Sequence, residues 1–316
     1  MKTKQNRLIQ SMTHKTSSSI TSFSIMGALT LLLVMISCSS SEDLGEKLAS
    51  QETRVNISIS PFTILTDDID ANSEAFPYTR AGLEGKAPTM LSIAVFDAND
   101  SLVFCTHQAS TDSAFCQAST TLKTGSYTLV AVGYNDSVAA NISSLEKVSF
   151  SSYVKDTYCL SKTFSVTNSG SADISASLDR AVAKFTVKLQ DFIPADIKYM
   201  SVSYSKGGDL LNPSTALSID DDGCVRNYTL PDEYVGSTTK SFSLSSYLFL
   251  GVSPEVMDIT VRAMDVDGVV RFSHTLTGVQ MERNKIVVAS GRLFSGGTVG
   301  TFSFNTSWTD SSEVGW

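Results

Sequence analysis

The strongest constraint on the fold is a two-residue hydrophobic rhythm. In Arg54-Val-Asn-Ile-Ser-Ile-Ser60, Val55, Ile57 and Ile59 alternate with polar residues, the pattern of a strand with one buried face. The same period appears in the segments 91–96, 127–132, 183–189, 198–204 and 259–264. Turn signals lie between them: Asn99-Asp100, Lys123-Thr-Gly125, Asn168-Ser-Gly170, Lys206-Gly-Gly208, Asp222-Gly223 and Asp267-Gly268. Short strands broken by polar turns, without intervening helical patterns, predict an all-β chain of sandwiches rather than βαβ units. The one stretch with a helical pattern is 144–154, and a helix is the expectation there.

The amino terminus has a different character. Lys2, Lys4, Arg7 and Lys15 precede an apolar run, Ile25–Ile36, with no acidic residue before Cys38. A bilayer span needs roughly 20 apolar residues, so this run has the length of a signal-peptide core instead. It ends in Met35-Ile-Ser-Cys38, which resembles the lipobox of bacterial lipoproteins. Met35 stands where Leu is usual. The resemblance implies cleavage between Ser37 and Cys38 and acylation of Cys38, with the lipid held in the outer membrane. Each buried CH₂ contributes roughly 0.8 kcal/mol, so several acyl chains would anchor the protein without a transmembrane helix. The alternative is an ordinary signal peptide with a cysteine near the cut. The polar run Ser39–Glu46 reads as a tether, and Glu42 and Asp43 resemble a surface-export signal, or are solvated linker charge.

The expected organisation is therefore a signal peptide over 1–37 and an acidic tether over 38–53, then an N-terminal sandwich over 54–172 and a C-terminal sandwich over 173–316. The boundary follows the loop composition of Asn168-Ser-Gly-Ser-Ala172 and the fresh strand run after Leu178. Loss of residues 1–37 would leave 20 basic against 32 acidic residues, a balance of −12. Without any block of Lys or Arg, nucleic acid and anionic head groups are poor partners.

Motifs for catalysis are absent. Only His107 and His274 lie beyond residue 37, and no GxSxG, HExxH or phosphate-cradling Gly-rich loop occurs. No catalytic residue and no cofactor is expected. Asp220-Asp-Asp-Gly223 invites a calcium reading, but Ser218 and Thr229 stand where an EF-hand loop needs acids, so a hairpin turn is expected and no metal site. Beyond Cys38 four cysteines remain: Cys105, Cys116, Cys159 and Cys224. None has CxxC spacing. Cys105 and Cys116 flank a turn signal at Ser110-Thr-Asp112 and are expected either to face each other across a hairpin as a disulfide or to stay free thiols.

Several blocks resemble the fimbrillin-type lipoproteins of Bacteroidetes, particularly the fimbrial anchor branch. They are the segments 91–97, 122–132, 178–185 and 281–293, with a finish at Phe302-Ser-Phe-Asn-Thr-Ser-Trp308. The resemblance implies two tandem transthyretin-like (Greek-key) β-sandwich domains and an anchor or accessory role in a surface fimbria. Its partners would be other fimbrial subunits, joined by strand complementation. In polymerising members an arginine-specific protease releases the first strand. Here that strand would be 55–60, and the scissile residue Arg80, within Tyr78-Thr-Arg-Ala-Gly82. The alternative for Arg80 is an ordinary exposed loop arginine. Three triplets beginning at Asp100, Asp112 and Asp136 match a Bacteroidetes O-glycosylation pattern, which a Ser-rich chain also produces by chance. The rival function is a surface glycan-binding lipoprotein, which expects an exposed aromatic platform from Tyr153, Tyr158, Tyr228 and Tyr234.

Overall fold

The computed structural model describes residues 52–60, 88–168 and 170–294, with 302–305 described for their backbone pairing alone. Among these residues there is no helix. The first ten strands are β1 (Glu52–Ser60), β2 (Met90–Asp97), β3 (Leu102–Ala109), β4 (Gln117–Lys123), β5 (Gly125–Tyr134), β6 (Asn141–Ser144), β7 (Lys147–Ser149), β8 (Thr157–Val166), β9 (Ser171–Ser177) and β10 (Asp179–Arg180). Ten more follow: β11 (Ala183–Leu189), β12 (Tyr199–Tyr204), β13 (Leu211–Asn212), β14 (Leu217–Ser218), β15 (Cys224–Thr229), β16 (Ser243–Leu248), β17 (Glu255–Met264), β18 (Val270–Met281), β19 (Ile286–Gly291) and β20 (Phe302–Asn305).

Two pairs of sheets carry most of the chain. In the first half the order β4-β1-β9 packs on the five-stranded order β10-β8-β5-β2-β3. Val55, Ile57 and Ile59 of β1 meet Leu91, Ile93 and Val95 of β2 and Leu129 of β5 between them. In the second half β16-β11-β19-β20 packs on β15-β12-β17-β18 around Phe185, Val187, Met200, Val202, Ile259 and Val261. Each core arises because alternate residues of a pleated strand point to one face.

A third core joins the halves. The far face of the five-stranded sheet, including Ala94, Phe96, Val130 and Val132, is covered by Ile142, Val148, Leu211 and Phe249. The small sheet β14-β13-β7-β6 is the cover, and β13 from the second half pairs with β7 from the first at Leu211 and Val148. β2 and β5 are therefore buried on both faces, not one, which corrects the half-buried reading of segments 91–96 and 127–132. Ser92 occupies this double-sided strand as a buried polar group. Its hydroxyl meets the Tyr134 hydroxyl at 3.0 Å and His107 Nδ1 at 2.8 Å, so it is satisfied. The Tyr134 hydroxyl in turn accepts the Ala140 N–H at 2.5 Å.

The expected helix over 144–154 is absent. Its residues supply β7, and the Ser144 hydroxyl accepts the Glu146 N–H in the turn that precedes it. Burial of Ile142 and Val148 against the five-stranded sheet outweighs local helix preference. The expected hairpin at 220–223 does not form: β14 pairs with β13 and β15 with β12, so the segment passes between two sheets as a bend. Gly223 takes φ +83°, and a Cβ there would sit 2.2 Å from the Tyr204 carbonyl oxygen, so only glycine fits. Asp265 Oδ1 accepts the N–H groups of Asp267 (3.0 Å) and Val269 (2.9 Å), closing the turn between β17 and β18. Residues 172 and 173 lie inside β9, whose partner is β1, and β10 pairs with β8, so the crossing between halves comes after Arg180.

Candidate strand-exchange site

β1 is the central strand of its sheet, and both its neighbours come from far along the chain. It runs antiparallel to β4, from Glu52 opposite Lys123 to Ser58 opposite Gln117. It runs parallel to β9, from Arg54 opposite Ser171 to Ser60 opposite Ser177. The ladder is extended by Ile59 N–H to the Cys116 carbonyl (2.9 Å) and Leu178 N–H to the Ser60 carbonyl (3.0 Å). A strand inserted between two others leaves no open edge of its own. Its removal would leave two edges and the slot between them.

The inward face of β1 supplies the bulk of that slot. Ile57 lies between Ala118 and Ile174, and Val55 between Thr120 and Ala172. Ile59 stands beside Ala176. The three branched residues of β1 fill the layer between these neighbours, and Val55 and Ile57 are wholly excluded from water. Burying three such side chains is worth roughly 5–9 kcal/mol, comparable with the ~5–15 kcal/mol total stability of an ordinary domain. The floor opposite is Leu91, Ile93, Val95, Leu129 and Ala131. At its rim the Tyr127 hydroxyl donates to the Lys123 carbonyl (2.9 Å), and burial together with nearby Asp97 pushes its phenol up.

Polar contacts set the register. Thr53, buried at the first inward position, donates to the Thr167 carbonyl at 3.0 Å. On the outer face Asn56 Nδ2 donates to Asp173 Oδ1 at 2.8 Å, and Gln117 Nε2 donates to Ser58 Oγ at 2.9 Å. A one-residue slip would turn every aliphatic residue of β1 to the solvent face. Sequence reading missed Asp173, Thr167 and the whole of β9 as partners of β1. Parallel pairing across more than a hundred residues leaves no local signal.

Of the residues singled out in the sequence, Ser37, Cys38 and Arg80 lie outside the described residues. Cys105 and Cys116 are free thiols, as are Cys159 and Cys224. The hairpin disulfide geometry fails because β3 joins the five-stranded sheet while β4 pairs with β1 in the facing sheet. Cys105 Sγ lies 3.7 Å from His107 Nε2, but burial pushes its thiol up rather than activating it. His107 and His274 share no site: His274 is on β18 of the other half.

The four tyrosines form no single platform. Tyr158 is buried, with the Arg180 guanidinium 4.9 Å above its ring, and burial pushes its phenol far up. Tyr234 packs edge-on against Phe242 at 5.2 Å. Tyr153 lies over Arg226 at 5.1 Å, and the Tyr228 hydroxyl donates to the Ser245 carbonyl (3.3 Å). In the acidic bend Asp221 Oδ1 accepts the Gly207 N–H (2.6 Å), and Asp220 Oδ1 accepts the Leu210 N–H (3.1 Å) and the Ser218 hydroxyl (2.8 Å). Among the described residues no group of three His, Cys, Asp or Glu is placed to hold a metal ion.

The fold and the slot define an all-β protein of two joined sandwiches, in which the first strand is a separate insert between strands 4 and 9. The chain belongs to a family of unknown function, DUF6562, whose model matches residues 102–314 and so begins at β3. None of the curated proteins matches the sequence. Among solved structures the chain is similar to a candidate adhesin from Bacteroides ovatus, at 10% identity and TM-score 0.48, covering 77% of this chain and 88% of that one. It is also similar to the fimbrial anchor protein Mfa2 from Porphyromonas gingivalis, at 11% identity and TM-score 0.43, covering 81% and 98%. A fimbrial assembly protein from Parabacteroides distasonis matches at 9% identity and TM-score 0.40, covering 81% and 95%. Bacteroidetes fimbrial anchor and assembly proteins, the group that the sequence blocks resemble, are thus among its structural neighbours.

Proposed function

We propose that this chain is an anchor or accessory subunit of a surface fimbria, tethered to the outer membrane through acylated Cys38, and that its slot for β1 is where subunits join. The observation that carries the reading is the placement of β1. It is one strand, between two partners distant in sequence, that supplies the three branched aliphatic side chains at the centre of its sandwich layer. Its sequence neighbour is the segment 61–87, which contains Arg80. Strand complementation follows from ordinary chemistry: an incoming strand would satisfy both β4 and β9 edges and fill the apolar slot at once. The two halves would be transthyretin-like sandwiches that divide after β10.

Two measurements test this. Intact mass and amino-terminal analysis of protein from native outer membranes should return a triacylated chain beginning at Cys38. A chain beginning at Ala81 without lipid would overturn the anchor role and mark a polymerising subunit. Separately, protein cut by an arginine-specific protease within 61–87 should take up a labelled peptide of residues 52–60. Cut protein that never binds the peptide, even after mild urea treatment, would sink strand complementation.

A further inference from the structure

We infer that the slot also accepts β1 from a second copy of this chain, so that two uncut chains join by reciprocal exchange of their first strands. The inference rests on the slot proposed above as the joining site, and names its occupant.

Three observations carry it. The first is fit: the slot is complementary to β1 itself, with Val55 between Thr120 and Ala172, Ile57 between Ala118 and Ile174, Ile59 beside Ala176, and Asn56 on Asp173. A second copy offers the identical strand, so every contact of β1 is kept and only the connectivity changes.

The second is where the connecting segment begins and ends. The Ser60 carbonyl accepts the Leu178 N–H at 3.0 Å. The Leu178 side chain and the Pro88 ring both converge on Gly133, each 2.9 Å from where a Cβ would stand. Both ends of the segment 61–87 therefore lie at Leu178, and a few residues would join them. The third is length. Twenty-seven residues reach up to about 90 Å when extended, far beyond that gap and enough to deliver β1 to a neighbouring molecule. Exchange is then governed by chain concentration rather than by any loss of contacts.

The test uses two full-length chains with different epitope tags, coexpressed, both carrying Cys105→Ser and Cys116→Ser. One carries Ser58→Cys and the other Gln117→Cys. These positions are directly opposed in the β1–β4 ladder, at the separation a disulfide needs. Reciprocal exchange gives a disulfide-linked dimer holding both tags, shifted to twice the chain mass on a non-reducing gel, with the bond mapped to the two new cysteines. A single chain with both substitutions reports whether the pair can close at all. If that chain closes internally and no cross-tag dimer forms, the inference is overturned. Uptake of the 52–60 peptide by cut protein would then leave strand complementation standing. If even the single chain fails to close, the register of β1 is wrong and both readings fall.

Discussion

Arg226 and Asp209 form a two-pronged ion pair, with Nη1 donating to Oδ2 at 2.9 Å and Nη2 to Oδ1 at 2.6 Å. Arg226 is 1% exposed, and Nη2 also donates to the Tyr247 carbonyl (3.2 Å) at the edge strand β16 while Tyr153 covers the guanidinium. Nε has no partner, so the buried cation depends heavily on Asp209. Asp209→Ala is expected to cost about 2–3 kcal/mol, because it strands a buried charge. Adding Arg226→Met should recover part of that loss. A urea titration of the two variants checks this, and a double variant less stable than Asp209→Ala alone would contradict it.

Ile57 sits at the middle of the slot, wholly buried between Ala118 and Ile174. Ile57→Ala should destabilise the protein by about 3 kcal/mol, from lost transfer energy plus the cavity left in a packed layer. The same change in the 52–60 peptide should abolish its uptake by cut protein, whereas Arg54→Ala, at an exposed position, should change neither by a measurable amount.

Glu255 is buried at the start of β17. Its Oε2 accepts the Gly251 N–H at 3.0 Å, Lys206 Nζ lies 3.9 Å from Oε1, and Asp221 faces it. Burial, reinforced by the Asp221 carboxylate, holds its carboxyl above the ordinary value of 4.5 despite Lys206. The folded state therefore keeps this proton more tightly than the unfolded chain. Its contribution is complete below pH 4.5 and is lost as pH rises through the folded value. Glu255→Gln should raise the urea midpoint at pH 8 and leave it nearly unchanged at pH 4. An equal shift at both pH values would show that the carboxyl does not titrate in this way.

The four thiols should differ sharply in reactivity. Cys105 is exposed, while burial pushes Cys159 up to about 12 and Cys224 up to about 11. With maleimide at pH 8, followed by peptide mass mapping, Cys105 should label first. Cys159 and Cys224 should label at least about tenfold more slowly until the protein is unfolded. Labelling of Cys159 in the native protein at the rate of Cys105 would mean that its core opens readily.

Strand positions were legible wherever one face meets a core and the other meets water, as in β1 and β17, because alternation records that asymmetry directly. It failed to distinguish β2 and β5, which are buried on both faces, since their second cover comes from β6, β7 and β13, at distances in sequence that no local pattern reports. Gly223 and Gly268 were readable as bend or turn positions because their positive φ is a local requirement. Whether Cys105 and Cys116 would meet was left open in the sequence for the opposite reason. Eleven residues of chain brought the two cysteines near each other in sequence, but consecutive strands β3 and β4 part into different sheets.

Residue order alone thus specified an all-β chain, its strand and turn positions, and a first strand set apart by the stretch 61–87, because pleat periodicity and turn stereochemistry are written residue by residue. Which strands became neighbours was left to the tertiary structure. The parallel pairing of β1 with β9, the Asn56–Asp173 contact and the core shared between the halves each depend on burial summed over surfaces far apart in sequence. That sum exists only once the sheets have packed.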